Sequence, residues 1–223
     1  MNRNNKGFTI IELMIASTAF AVLLIVVTAV LMKLSNIYYK GIVSSNTQNV
    51  ARNIMYYVDK SFQFSTNSST AFSSNQGVYG GNKIGWLCVG NQVYIYGEGQ
   101  EYNSSNQLWP NNVGLIYVDS SCPSNTSNLW WWVYAPNSQE LLKNNMRISW
   151  FNISQINSSG GLYNVSLEVS YGSSYNLYDI VDSKNNSGYD SNGPNIRCIT
   201  QIGDQYCATA ALNTNVSING ISN

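Results

Sequence analysis

The chain has 223 residues, 11 basic and 11 acidic side chains, 10% charged residues and no histidine. Without histidine neither a Ser-His-Asp nor a Cys-His catalytic arrangement can be built, and no Gly-rich stretch runs into Gly-Lys-Ser/Thr, so there is no P-loop. From Ser61 onward five basic residues (Lys83, Lys143, Arg147, Lys184 and Arg197) stand against nine acidic ones, a net charge of −4, which lacks the basic patch of a nucleic-acid grip. Asp59, Glu98, Glu101, Asp119 and Glu140 are scattered as on a solvated surface. No enzyme activity, cofactor or nucleic-acid partner is expected.

The N-terminus is a short polar leader with Arg3 and Lys6, then Gly7-Phe8, then an apolar run that carries no charge except Glu12 until Lys33. A run of that length can cross a bilayer of ~30 Å as one helix, and the basic leader places its start on the cytoplasmic side. A secretory signal would have a shorter apolar core closed by small residues before its cut. A lone carboxylate within a span costs about 2.5–3.5 kcal/mol on insertion scales and asks for a partner. If the chain is cut after Gly7, the new α-amino group of Phe8 is the obvious cation. A plain single-pass anchor is the alternative.

Gly7-Phe8-Thr9-Ile10-Ile11-Glu12-Leu13 resembles the class III leader and helix start of type IV pilins and of the pseudopilins of type II secretion. The resemblance covers about the first sixty residues. It implies cleavage after Gly7 by a prepilin peptidase, methylation of Phe8, and assembly into a helical fibre in which Glu12 docks on the N-terminal amine of a neighbour. The expected domains follow: leader 1–7, a long helix 8–60 crossing the membrane over about 8–31, and an extracytoplasmic head domain 61–223. The expected partners are prepilin peptidase, other pilin or pseudopilin subunits, the assembly platform and membrane lipid. Before assembly the chain is expected in the cytoplasmic (inner) membrane, and afterwards in a pilus or pseudopilus.

Past Leu31 the helix is expected to continue, because no proline and only Gly41 interrupt Phe8–Phe62. Apolar residues at 43, 50, 54, 57 and 58 form a stripe of helical period. Gly41 is either a bend or a tolerated glycine on a solvated face. Ala16, Ser17, Thr18, Ala19 and Ala21 would let neighbouring helices approach closely. The run Gln48-Asn49-Val50-Ala51-Arg52-Asn53-Ile54, followed by Asp59, is similar to W-type minor pilins and J-type minor pseudopilins. That similarity implies a priming or tip complex. Glu12 is retained, unlike in the K-type tip pseudopilins. A major pilin subunit, or a membrane-anchored surface adhesin, remain as alternatives.

Ser61 to Gly81 is rich in Ser, Asn, Thr and Gly and reads as a loop leaving the helix. Ile84–Val89 and Gln92–Tyr96, separated by Gly90-Asn91, read as a β-hairpin. Leu115–Val118, Leu129–Tyr134, Met146–Ile153 and Leu162–Tyr171 are further strand candidates, rich in Val, Ile, Tyr and Trp. The fold class is therefore α+β: one long helix packed on an antiparallel sheet, as in the pilin fold. Trp130-Trp131-Trp132 with Tyr134 would put aromatics on both faces of such a strand, as core on one side and a subunit contact or ligand platform on the other.

Cys88, Cys122, Cys198 and Cys207 allow three disulfide pairings. Local closure favours Cys88–Cys122 and Cys198–Cys207, and an exported domain sits where disulfides persist. A zinc site lacks both a CxxC and a histidine. The loop containing Asp179, Asp182, Asp190 and Asn192 could gather oxygen ligands for Ca²⁺, Asp182 and Asp190 foremost, although the EF-hand pattern fails and Lys184 opposes a cation.

Overall fold

The computed structural model describes residues 9–65, 72–79, 82–102, 113–122, 129–156, 161–172, 177–179, 196–198 and 206–218. Helix α1 runs unbroken over Ile10–Gln63, 54 residues and thus ~80 Å long. It passes through Gly41 without interruption, and a Cβ at Gly41 would meet nothing within 4 Å. Its C-terminal part buries Thr47, Val50, Ala51, Ile54, Met55, Val58, Ser61 and Phe62, which recur at three- and four-residue steps. Of the stripe expected from the sequence, Val50, Ile54 and Val58 are buried in this face, while Val43 and Tyr57 are half-buried beside it.

Two antiparallel sheets receive that face. The first is a meander of five strands in chain order: β1 (Phe72–Tyr79), β2 (Asn82–Val89), β3 (Gln92–Gly97), β4 (Leu115–Asp119) and β5 (Ser138–Glu140). The expected hairpin is present as β2 and β3, and its two-residue turn needs Gly90, whose φ is 60°. The second sheet has the order β10-β7-β6, with β6 (Met146–Gln155), β7 (Leu162–Tyr171) and β10 (Ala208–Ser217). A separate antiparallel pair joins β8 (Leu177–Asp179) and β9 (Ile196–Cys198).

The sheets are stitched where β3 ends and β6 begins. Gly99 N donates to Ile148 O at 2.8 Å, and Tyr102 N donates to Met146 O at 2.8 Å. Buried Arg147 braces the same junction: Nη2 donates to Glu101 Oε2 and Gly172 O, both at 2.9 Å, and Nη1 donates to Gly99 O at 3.3 Å. Burial pushes the Arg147 pKa down, and the charge of Glu101 opposes that shift.

Strands β2, β3 and β4 are covered on both faces, so burial there does not alternate. Leu87, Val89, Tyr94 and Leu115 meet α1, while Ile84, Trp86, Cys88, Val93 and Ile95 pack on the opposite side beneath Leu129. At the α1 side, the buried Tyr94 hydroxyl lies 2.6 Å from Ser61 Oγ, which itself donates to Tyr57 O at 2.9 Å. Burial raises the Tyr94 pKa well above the ordinary tyrosine value.

Two expectations from the sequence need correction, and one strand was not foreseen. Leu129–Tyr134 is not a strand: Leu129–Val133 is a short helix, α2. Leu129, Trp132 and Val133 stand at i, i+3 and i+4 and pack on the outer side of the meander, which a strand's alternation could not achieve. Trp131 and Tyr134 are left exposed, at 62% and 53%. The segment 61–81 is not simply a loop: the helix takes Ser61–Gln63, and β1 pairs with β2 along all eight residues. Strand β10, in a polar Asn/Thr run, pairs with β7 over ten residues. For β1 a hairpin ladder with its sequence neighbour overrides weak local propensity, and for β10 a long non-local ladder does so.

Candidate assembly and membrane site

The N-terminus of α1 is built by four residues. Thr9 is its N-cap, with extended backbone (φ −78°, ψ 150°), and Thr9 and Glu12 form a reciprocal capping box. Glu12 N donates to Thr9 Oγ1 at 3.4 Å, while Glu12 Oε2 accepts from Thr9 N and from Thr9 Oγ1, each at 3.0 Å. The carboxylate thus satisfies an otherwise orphaned N–H at the positive end of the helix dipole. Within one chain Glu12 already has partners, which lowers the cost of carrying a carboxylate into apolar surroundings. Thr9 went unread in the sequence, although Thr-x-x-Glu before an apolar run is a capping-box signature.

Beyond this cap every residue from Ile10 to Ile42 is exposed, including the large apolar side chains of the run. The hydroxyls in the run are turned inward onto the helix backbone: Ser17 donates to Met14 O, Thr18 to Ile15 O, and Thr28 to Leu24 O and Ile25 O, all at 2.9 Å. The outer surface is therefore apolar even where the sequence is not, as lipid or a neighbouring apolar helix requires. Among the described residues, α1 is the helix long and apolar enough to cross a membrane. Water alone would leave this stripe as a large uncompensated hydrophobic surface.

The other expected sites fall as follows. Gly7 and Phe8 lie outside the described residues, as do Asp182, Asp190 and Asn192. Among the described residues no group of three or more Cys, Asp or Glu is gathered for a metal ion. Cys88 is bonded to Cys122, and Cys198 to Cys207. The first bond reaches from β2 across β3 to the end of β4, and the second holds the start of β10 against β9. By chain entropy alone, loops of 34 and 9 residues correspond to ~3.8 and ~2.6 kcal/mol of stabilisation. Near that second bond, the ring of Tyr206 lies 6.3 Å from the ring of Tyr39 on α1.

Residues 2–28 match the family described as the prokaryotic N-terminal methylation motif. No curated protein and no solved structure matches the chain. The matched residues include the leader, the Thr9–Glu12 cap and most of the exposed apolar run, so the chain opens with a type IV pilin-like leader on a long helix that packs against antiparallel sheets.

Proposed function

We propose that this chain is a structural subunit of a type IV pilus or type II secretion pseudopilus. In this reading a prepilin peptidase cuts after Gly7, Phe8 becomes the methylated N-terminus, and residues 8–31 hold the chain in the cytoplasmic membrane. The subunit then enters a fibre through the N-terminal half of α1, with the head domain outside. The single observation that carries this is the division of α1: Ile10–Ile42 is exposed and apolar-rich, while the following turns are buried in the head. A helix so divided needs a bilayer first and other helices later. The methylation motif on the same residues supports it independently.

The role within the fibre is read as minor, in an initiating or tip complex. It is supported by the resemblance of 48–59 to W-type minor pilins and J-type minor pseudopilins; the retained Glu12 sets the chain apart from K-type tip pseudopilins. Exposed Trp131 and Tyr134 on the outer side of the meander favour a second reading, in which the head also holds a surface as an adhesin. The direct test is the intact mass of the chain expressed with and without a prepilin peptidase. The proposal expects loss of residues 1–7 and gain of one methyl group only when the peptidase is present. An unchanged mass with an active peptidase would sink it.

A further inference from the structure

The level at which α1 leaves the bilayer can be counted along the helix. A hydrocarbon core of ~30 Å takes ~20 residues. Counted from Leu13, next to the Glu12 carboxylate, the core ends near Met32, and Lys33 is the first charge beyond it. Ile37, Tyr38 and Tyr39 follow ~8–10 Å higher at helical rise. They are 70%, 68% and 48% exposed. Helical side chains lean toward the helix N-terminus, so these rings reach back toward the span. The headgroup layer is about 5–7 Å deep on each side, and tyrosine is one of the two residue types enriched there. Lys33 and Lys40 bracket the rings and suit anionic headgroups.

A distant part of the chain arrives at the same level. Tyr206, 48% exposed, immediately precedes the buried Cys207, and its ring lies 6.3 Å from that of Tyr39. The Cys198–Cys207 bond holds the backbone next to Tyr206 against β9. Strand β10 starts here and runs alongside α1. Near its far end Val216 pairs with Tyr163, whose ring lies 5.0 Å from Phe62. From Tyr39 to Phe62 the helix climbs ~35 Å, and the ten residues of β10 extend ~33 Å, so the two tracks match. Among the described residues of the head, Tyr206 therefore marks the end nearest the span.

We propose that, before the chain joins a fibre, Tyr38, Tyr39 and Tyr206 lie together in the outer headgroup layer of the lipid bilayer and that Tyr206, beside the Cys198–Cys207 bond, docks the head on the membrane. This rests on the reading that α1 spans the bilayer. A net-negative head would otherwise be held off an anionic surface; the aromatic contact and the two lysines oppose that repulsion. Leaving the membrane for a fibre then requires the head to release lipid as well as the span.

The test uses the full chain in nanodiscs of zwitterionic and anionic phospholipid, with fluorotyrosine in place of tyrosine and signals assigned by single Tyr→Phe substitutions. A paramagnetic chelate is carried on the lipid headgroup. The signals of Tyr38, Tyr39 and Tyr206 are expected to broaden together, several-fold more than that of Tyr56, an exposed residue ~25 Å higher on the same helix. Broadening of Tyr38 and Tyr39 with a sharp Tyr206 would overturn the docking of the head. In a second sample fluorophenylalanine replaces phenylalanine, and a label on the acyl chain reports through Phe20 whether 13–31 lie in the bilayer. If they do while Tyr38, Tyr39 and Tyr206 stay as sharp as Tyr56, the docking alone is overturned; if they do not, the spanning reading falls with it.

Discussion

The contact between Ser61 and Tyr94 joins the last turn of α1 to the middle of the meander, and its two partners are not equivalent. Ser61 Oγ donates its proton to Tyr57 O at 2.9 Å, so the Tyr94 hydroxyl, 2.6 Å away, must be the donor to Ser61. Both side chains are buried, Tyr94 fully. Removing the hydroxyl in Tyr94→Phe leaves Ser61 with its carbonyl partner and costs about 0.5–1.5 kcal/mol. Removing the acceptor in Ser61→Ala strands a buried phenol and costs ~1–3 kcal/mol. In the double variant both partners are apolar, so adding Tyr94→Phe to Ser61→Ala should restore stability. Urea unfolding of the full chain in mild detergent, followed by tryptophan fluorescence, measures all four corners of the cycle. A double variant less stable than Ser61→Ala would refute the claim that Ser61→Ala strands a buried phenol. The same burial raises the Tyr94 pKa, so the folded state keeps its proton where the unfolded state loses it. Stability from this group is full below about pH 10, the unfolded value, and declines as pH rises beyond it. Tyr94→Phe should make that alkaline decline shallower.

Three other outcomes follow from particular contacts. A Cβ at Gly85 would collide with the ring of Tyr96, its cross-strand partner, so Gly85→Ala should cost ~1–3 kcal/mol in the same unfolding assay, and an unchanged midpoint would contradict the packing. Glu140 accepts from Leu115 N at 2.7 Å, Leu142 N at 2.9 Å and Gly114 N at 3.3 Å, yet burial outweighs these bonds and raises its pKa above 4.5. Its contribution is present below that unfolded value and is lost as pH rises through the folded one; Glu140→Gln should flatten stability against pH in this window, and an unaltered slope would count against it. Glu12→Ala removes the carboxylate half of the capping box and leaves the Thr9 N–H without its partner. The variant should remain in the membrane fraction but be poorly incorporated into sheared fibres, and normal incorporation would remove Glu12 from assembly.

What the sequence disclosed depends on how far each signal is local. Helix α1 was legible because its apolar run and later stripe extend over many turns, and the Gly90-Asn91 hairpin because two apolar, aromatic-rich runs flank a two-residue turn within fourteen residues. Strands β6 and β7 were found through their Val, Ile and aromatic residues. Strand β1 escaped because Phe72–Tyr79 offers few apolar side chains, and its identity comes from the ladder supplied by β2. Strand β10 escaped for a related reason: its inward residues include Ala208 and Ala210, too small to stand out among Asn and Thr. The Trp-rich run was misread because six apolar residues fit either period, and only the cover over Leu129, Trp132 and Val133 decides between them. At the N-terminus the Glu12 carboxylate was noticed for its charge, while its nearest partner, Thr9, was hidden in plain capping chemistry.

The claim that this chain is a processed fibre subunit is tested most directly by quantitative mass spectrometry of fibres sheared from the cell surface. The N-terminal peptide and the abundance of the chain relative to other subunits are read in one experiment. The account expects a trace component whose first residue is methylated Phe8. A dominant component would contradict the minor role and make it the major pilin. Absence from the fibres, with the leader still attached to the chain in cells, would contradict the account as a whole and leave a plain membrane anchor.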